Sequence, residues 1–166
     1  MAERRSALVV ADAGPLIALS RVGLLQLINR YAASVLIPQA VMDEVQQGRH
    51  ADAGPVLAAV VRGDFQVVPE PASALLIDPP LDIGEVAVIR LALARNAEVL
   101  MDETAGRAAS RRLGLPVIGT LGLLVLARQE GWIPRLAPLL RRLAAGGHYL
   151  SEPLITEALR VVDETE

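Results

Sequence analysis

The sequence predicts a three-layer α/β fold with a mainly parallel central sheet, followed by C-terminal helices. Three observations carry this. Short continuous apolar runs, such as Ala7–Ala11 and Val99–Met101, have the form of strands buried on both faces. These runs alternate with stretches of helical period, the pattern of strand-helix-strand units. Glycine or proline punctuates most of the junctions.

Ala7–Ala11 is the first strand, and Asp12 follows it at once. Gly14-Pro15 turns the chain into a helical pattern, with Pro15 suited to a first helical position. Leu16, Leu19, Leu24, Leu27 and Ile28 keep a helical period that breaks near Gly23. Ser34–Ile37 is the next strand. Pro38 then starts a helix with Ala40, Val41 and Val45 on its apolar face and Gly48 at its end. Pro55–Arg62 is a helix closed by Gly63, before the short strand Phe65–Val68 and a proline-rich loop, Pro69–Pro80.

Asp82–Arg95 is the clearest helix. Asp82 and Glu85 have the spacing of a capping box, and Val86, Ile89, Leu91, Leu93 and Ala94 mark the helix as largely buried. Val99–Met101 is a buried strand ending at Asp102. A helix over Glu103–Leu113 stops at Gly114. Pro116–Ile118 is a last short strand and Leu121–Glu130 a helix. Pro134–Ala145 and Pro153–Val162 are two further helical patterns. At 166 residues the chain reads as one domain, with a core over about 7–132 and a helical extension over about 133–166.

Composition removes many chemistries. There is no cysteine, hence no thiol nucleophile and no zinc–thiolate site. There is no lysine, hence no phosphate-loop lysine and no Schiff base. His50 and His148 show no ligand-pair spacing, and His148 reads as an ordinary polar residue of the tail. The only aromatics are Tyr31, Phe65, Trp132 and Tyr149, which argues against binding single strands by base stacking. The uncharged stretch Leu113–Ala127 is too short for a membrane span, and a cytoplasmic location is expected.

Carboxylates, arginines, hydroxyls and backbone remain. Sites in open α/β sheets form beyond the carboxyl ends of strands, where Asp12 and Asp102 both stand. Glu44, Glu85 and Glu103 start or line the intervening helices. Such acids repel one another unless a hard divalent cation such as Mg²⁺ or Mn²⁺ joins them. Each acid also has a plainer role. Asp12 and Asp102 can cap helices, Glu85 can complete the capping box, Glu44 can be a solvated surface residue, and Glu103 can favour a helix N-terminus.

The run Asp12-Ala13-Gly14-Pro15-Leu16-Ile17-Ala18-Leu19 resembles the opening of a PIN domain. Ile37-Pro38 with Glu44, Leu81-Asp82-Ile83-Gly84-Glu85, Leu100-Met101-Asp102-Glu103 with Arg107, and Gly114 to Gly122 continue the pattern over about Leu8–Trp132. The resemblance is to a prokaryotic branch related to VapC-type toxins. It implies a metal-dependent ribonuclease with Asp12, Glu44, Glu85 and Asp102 as its acidic quartet and Mg²⁺ or Mn²⁺ as cofactor. Glu103 stands where relatives often have a second aspartate. The resemblance further implies RNA as substrate, a small antitoxin protein as partner and a homodimer. The helices after Trp132 depart from the short toxins.

The formal net charge of −3 leaves phosphate binding to local potential. Arg107 and Arg111, four residues apart, share a helix face that could hold phosphates; a solvated face with ion pairs is the alternative. The competing functional reading is a non-catalytic RNA-binding or regulatory module of the same fold.

Overall fold

A computed structural model describes residues 4–48, 53–77 and 80–165; His50 and part of the Pro69–Pro80 loop lie outside them. Strand β1 (Ser6–Ala11) leads into α1 (Ala13–Arg21) and α2 (Leu27–Tyr31), separated by Gly23 at φ +69°. Strand β2 (Ala32–Pro38) leads into α3 (Gln39–Gln47) and α4 (Ala53–Arg62), then β3 (Gln66–Val68). Helix α5 (Ile83–Arg95), β4 (Glu98–Leu100), α6 (Thr104–Arg112), β5 (Val117–Ile118) and α7 (Thr120–Gln129) follow. Two further helices are α8 (Ala137–Ala145) and α9 (Glu152–Val161). Pro15 occupies the third position of α1 rather than the first, because Asp12 takes the N-cap. Pro38 likewise ends β2 and caps α3 instead of starting it.

The five strands are all parallel, in the order β3-β2-β1-β4-β5. Val9, Val10 and Ala11 of the central strand are all fully buried. Successive strand side chains point to opposite faces, so both faces of the sheet are covered, giving three layers. Helix α5 packs on β1, β2 and β4 and against α3. Its outward turns carry Leu93 and Ala94, which the apolar pattern placed inside and the structure leaves exposed. Sequence period alone does not show where the covering partner ends.

The order of strands decides where a site can form. Helical connections leave β1 toward β2 and leave β4 toward β5, so the chain direction switches between β1 and β4. A crevice opens outside the carboxyl ends of those two strands. Ala11 pairs with Leu100, and the Asp12 N–H donates to the Leu100 carbonyl at 2.9 Å. Asp12 and Asp102 therefore flank this crevice from neighbouring strands.

The C-terminal helices are fastened to the core. Helix α9 packs on α7 and buries Ala158 and Leu159. Glu164, with its side chain only 7% exposed, receives hydrogen bonds from the Leu136 and Ala137 amides and from Arg128 Nε at 2.7 Å. Burial opposes its charged form, but these amides and Arg128 outweigh that and hold its pKa below the usual value. Glu164→Ala is expected to lower stability by about 2–3 kcal/mol at neutral pH, since it strands two buried amides and a guanidinium. Chemical denaturation checks the value. The wild-type advantage is present above the unfolded glutamate pKa and is lost as pH falls through the depressed folded one.

Candidate active site

Asp12 is the most constrained acid. It is only 6% exposed and sits at the N-cap of α1, yet its side chain makes no capping hydrogen bond to that helix. The usual capping bond therefore does not account for Asp12, although the Ala13 amide of the same helix acts on its carboxylate. Burial is the main reason that its pKa rises to about 7. The Ala13 amide pulls the other way, and the negative charges of Glu44, Asp82 and Glu85 raise it further. Among the described residues, the charges that act on this carboxylate are all acidic.

Glycine lets these groups approach. A methyl group on Gly84 would lie 2.8 Å from Glu44 Oε2, 3.4 Å from Asp82 Oδ1 and 3.6 Å from Asp12 Oδ1. Three carboxylates thus converge over the first turn of α5 because residue 84 has no side chain. Glu44 is exposed as a residue, but its carboxyl end reaches this point. Lost solvation, then Asp82 and Glu85, raise its pKa.

Glu85 combines both roles considered for it. Its Oε2 receives the Asp82 N–H at 3.0 Å, and its own N–H donates to Asp82 Oδ1 at 2.8 Å, a complete capping box. Its other oxygen, Oε1, lies 3.2 Å from where a methyl group on Gly106 of α6 would be. Burial raises its pKa; Asp82 acts in both directions, by backbone hydrogen bond and by charge, and Glu103 raises it. Glu103 is an exposed N-cap of α6 with no side-chain capping bond, and it reaches this group through charge alone.

Asp102 faces the crevice from the other side. Its Oδ1 accepts from the Thr120 N–H and its Oδ2 from the Thr120 hydroxyl, both at 2.7 Å. The N-terminus of α7 therefore fixes its orientation, and a second lone pair on each oxygen remains for another partner. Arg107 donates from Nη1 to the Met101 carbonyl at 3.1 Å and lies against Gly119, where a side chain would collide with it. Burial, then Arg111, lowers the Arg107 pKa, while Asp102 raises it.

Three participants were not assigned a site role from sequence. Asp82 is a fourth acid at the Asp12 group as well as a cap. Thr120 is the fully buried anchor of Asp102. His148 stands with Nε2 3.6 Å from Asp102 Oδ2 and is 17% exposed. The reading of His148 as an ordinary tail residue is corrected: the turn after α8 carries it to Asp102. Only the spacing of the Asp82–Glu85 capping box hinted at Asp82, and no local signal pointed to His148.

The predicted acids meet at one sheet edge, but in two groups. Asp12, Glu44, Asp82 and Glu85 surround Gly84, and Asp102 stands with Thr120, Arg107 and His148. Among the described residues no three acidic or histidine side chains form a ready metal cage. The donor set still fits a hard cation. It is oxygen-rich, mutually repelling and partly buried, and such a cation keeps several waters instead of needing an all-protein cage.

A family model described as the PIN domain matches residues 8–164, a span that includes α8 and α9. Among solved structures, the chain is similar in fold to a PilT N-terminus domain protein from the hyperthermophilic archaeon Sulfolobus solfataricus P2. That match has a TM-score of 0.57 at 16% identity, over 72% of this chain and 92% of that one. The PIN domain endonuclease Utp24 matches with a TM-score of 0.47 at 13% identity, over 68% of this chain and 84% of that one. No curated protein gives a significant match. No helix among the described residues is long and apolar enough to cross a membrane.

Proposed function

The chain belongs to the PIN-domain family, whose members are generally nucleases, and from that premise we propose that it is a divalent-metal-dependent endoribonuclease. One observation carries the reading. Asp12 is buried at a strand end, lacks the usual side-chain capping bond, and is surrounded by Glu44, Asp82 and Glu85. Folding alone does not explain such an arrangement, because each of these charges opposes the next.

Asp12, Glu44, Glu85 and Asp102 would hold Mg²⁺ or Mn²⁺, with Glu103 as a further oxygen donor. When bound, the ion supplies Lewis-acid charge at phosphoryl oxygens and acidifies water. The residues do the positioning. Thr120 keeps Asp102 pointed at the crevice, and the capping box fixes Glu85 while leaving its Oε1 free of that bond. Gly84 gives Glu44 its approach. Arg107 and Arg111, on one face of α6, offer guanidinium groups to the phosphates that flank the reacting one.

The deciding measurement follows a labelled RNA with purified protein in Mn²⁺, in Mg²⁺ and in EDTA. Cleavage that requires the ion and disappears in EDTA is expected. Intact RNA under all three conditions, with binding retained, would overturn the enzymatic reading in favour of a non-catalytic binding module.

A further inference from the structure

Three of the four aromatic side chains have structural work. Tyr31 and Phe65 are buried, and the Tyr31 hydroxyl donates to Glu98. Trp132 is half-buried with the Arg30 guanidinium 5.0 Å from its ring centre. Tyr149 is different: it is 87% exposed, so the fold gains little from its ring.

Its position is nonetheless set. Helix α8 ends in a Schellman motif, with the His148 N–H donating to the Leu143 carbonyl at 3.0 Å and the Gly147 N–H to the Ala144 carbonyl at 3.1 Å. Gly147, at φ +89°, supplies the left-handed residue that this turn needs. Arg21 Nη1 donates to the Gly146 carbonyl at 2.7 Å, tying the turn to α1, the helix that starts beside Asp12. His148 consequently touches Asp102, and Tyr149 stands one residue further along.

Both residues line a cleft of about 1060 Å³. Its lining also includes Asp102, Glu103, Arg107 and Arg111, and Leu154 of α9. Glu157, also in the cleft, is held by two hydrogen bonds from Arg160, which offset its charge.

We propose that this cleft is a single-strand groove, in which Tyr149 stacks on one nucleobase while Arg107 and Arg111, lining the same cleft, hold phosphates of that strand. The choice of nucleic acid as ligand rests on the nuclease reading. The groove itself follows from the exposed ring and the two arginines that line the same cleft as Asp102. A duplex keeps its base faces stacked inside and cannot offer one to Tyr149. Scarcity of aromatics excludes a platform for a run of bases, but one ring suffices for one base beside the acids. The C-terminal helices thereby acquire a role: the turn after α8 and helix α9 supply part of the cleft's lining.

The test is fluorescence anisotropy of a labelled single-stranded RNA octamer and a matched duplex, with the full chain in EDTA. Tyr149→Ala is expected to weaken octamer binding roughly fivefold to a hundredfold, the range of one base–aromatic stack, and Tyr149→Phe to stay within about twofold of wild type. Neither change should alter duplex binding. An abasic octamer should bind wild type and Tyr149→Ala alike. Equal octamer affinity in wild type and Tyr149→Ala would overturn the groove, as would no octamer binding at all. So would a protein ligand that protects Tyr149 and is not displaced by the octamer. Metal-dependent cleavage is scored separately. Cleavage without any Tyr149 effect overturns the groove alone, and Tyr149-dependent binding without cleavage overturns the nuclease reading alone.

Discussion

Asp12→Asn is expected to reduce metal-dependent RNA cleavage to background while making the metal-free protein more stable at neutral pH and above. The two effects have one cause. The wild-type carboxyl is pushed from 3.8 to about 7 by burial and by its acidic neighbours. Its folded pKa thus lies above its unfolded one, so the native state keeps a proton that the unfolded state has lost. Stability of the metal-free wild type accordingly falls as pH rises from about 4 to about 7, and the full penalty applies above that range. At 1.36 kcal/mol per pKa unit the penalty is on the order of a few kcal/mol.

Asparagine deletes the charge, and its amide can donate to the carboxylates around it. Thermal melts across this pH range should show the wild-type curve falling and the Asp12→Asn curve flatter and higher. Added Mn²⁺ should raise the melting temperature of the wild type and have little effect on the variant, because ligand binding to the native state stabilises it by mass action. Undiminished cleavage by Asp12→Asn would remove this residue from the site.

Gly84→Ala should separate the fold from the site more sharply still. The residue is the second position of α5, where alanine is the better helix former by about 0.5–1 kcal/mol. No backbone atom obstructs the new methyl group among its near contacts; Glu44 Oε2, at 2.8 Å, must move. That oxygen ends a flexible, exposed side chain, so its displacement costs the fold little. It does cost the acid group one member. Cleavage is expected to fall about tenfold to a hundredfold, as when the groups supporting a metal site are disturbed, while stability holds or rises. Titration of Mn²⁺ against the cleavage rate would show the loss as weaker ion dependence. An active Gly84→Ala with normal Mn²⁺ dependence would show that Glu44 is not needed at this point.

Parts of the candidate site are legible in the sequence. Apolar runs ending in Asp12 and Asp102 placed two acids at strand ends, and burial on both faces of a parallel sheet explains why those runs are continuous. The Asp82–Glu85 spacing announced a capping box that the structure contains. Gly63 and Gly114 ended helices as expected, both at positive φ. These signals are local: each depends on the preferences of a few consecutive residues. The apolar positions of α5 were legible only in part, because Leu93 lies where the neighbouring layer stops covering the helix.

What the sequence determined by itself is the chemistry available: oxygen donors, arginines and no thiol or lysine, delivered at strand ends and helix starts. What the tertiary structure decided is which of these meet. Pairing of β1 with β4 brings Asp12 and Asp102, ninety positions apart by number, to one crevice. The absence of a side chain at Gly84 admits Glu44 to Asp12 and Asp82. A Schellman turn fastened by Arg21 carries His148 to Asp102 and leaves Tyr149 exposed in the same cleft. Such contacts arise from the packing of distant layers, and the energy that selects them is spread over the whole core. No single stretch of sequence records it.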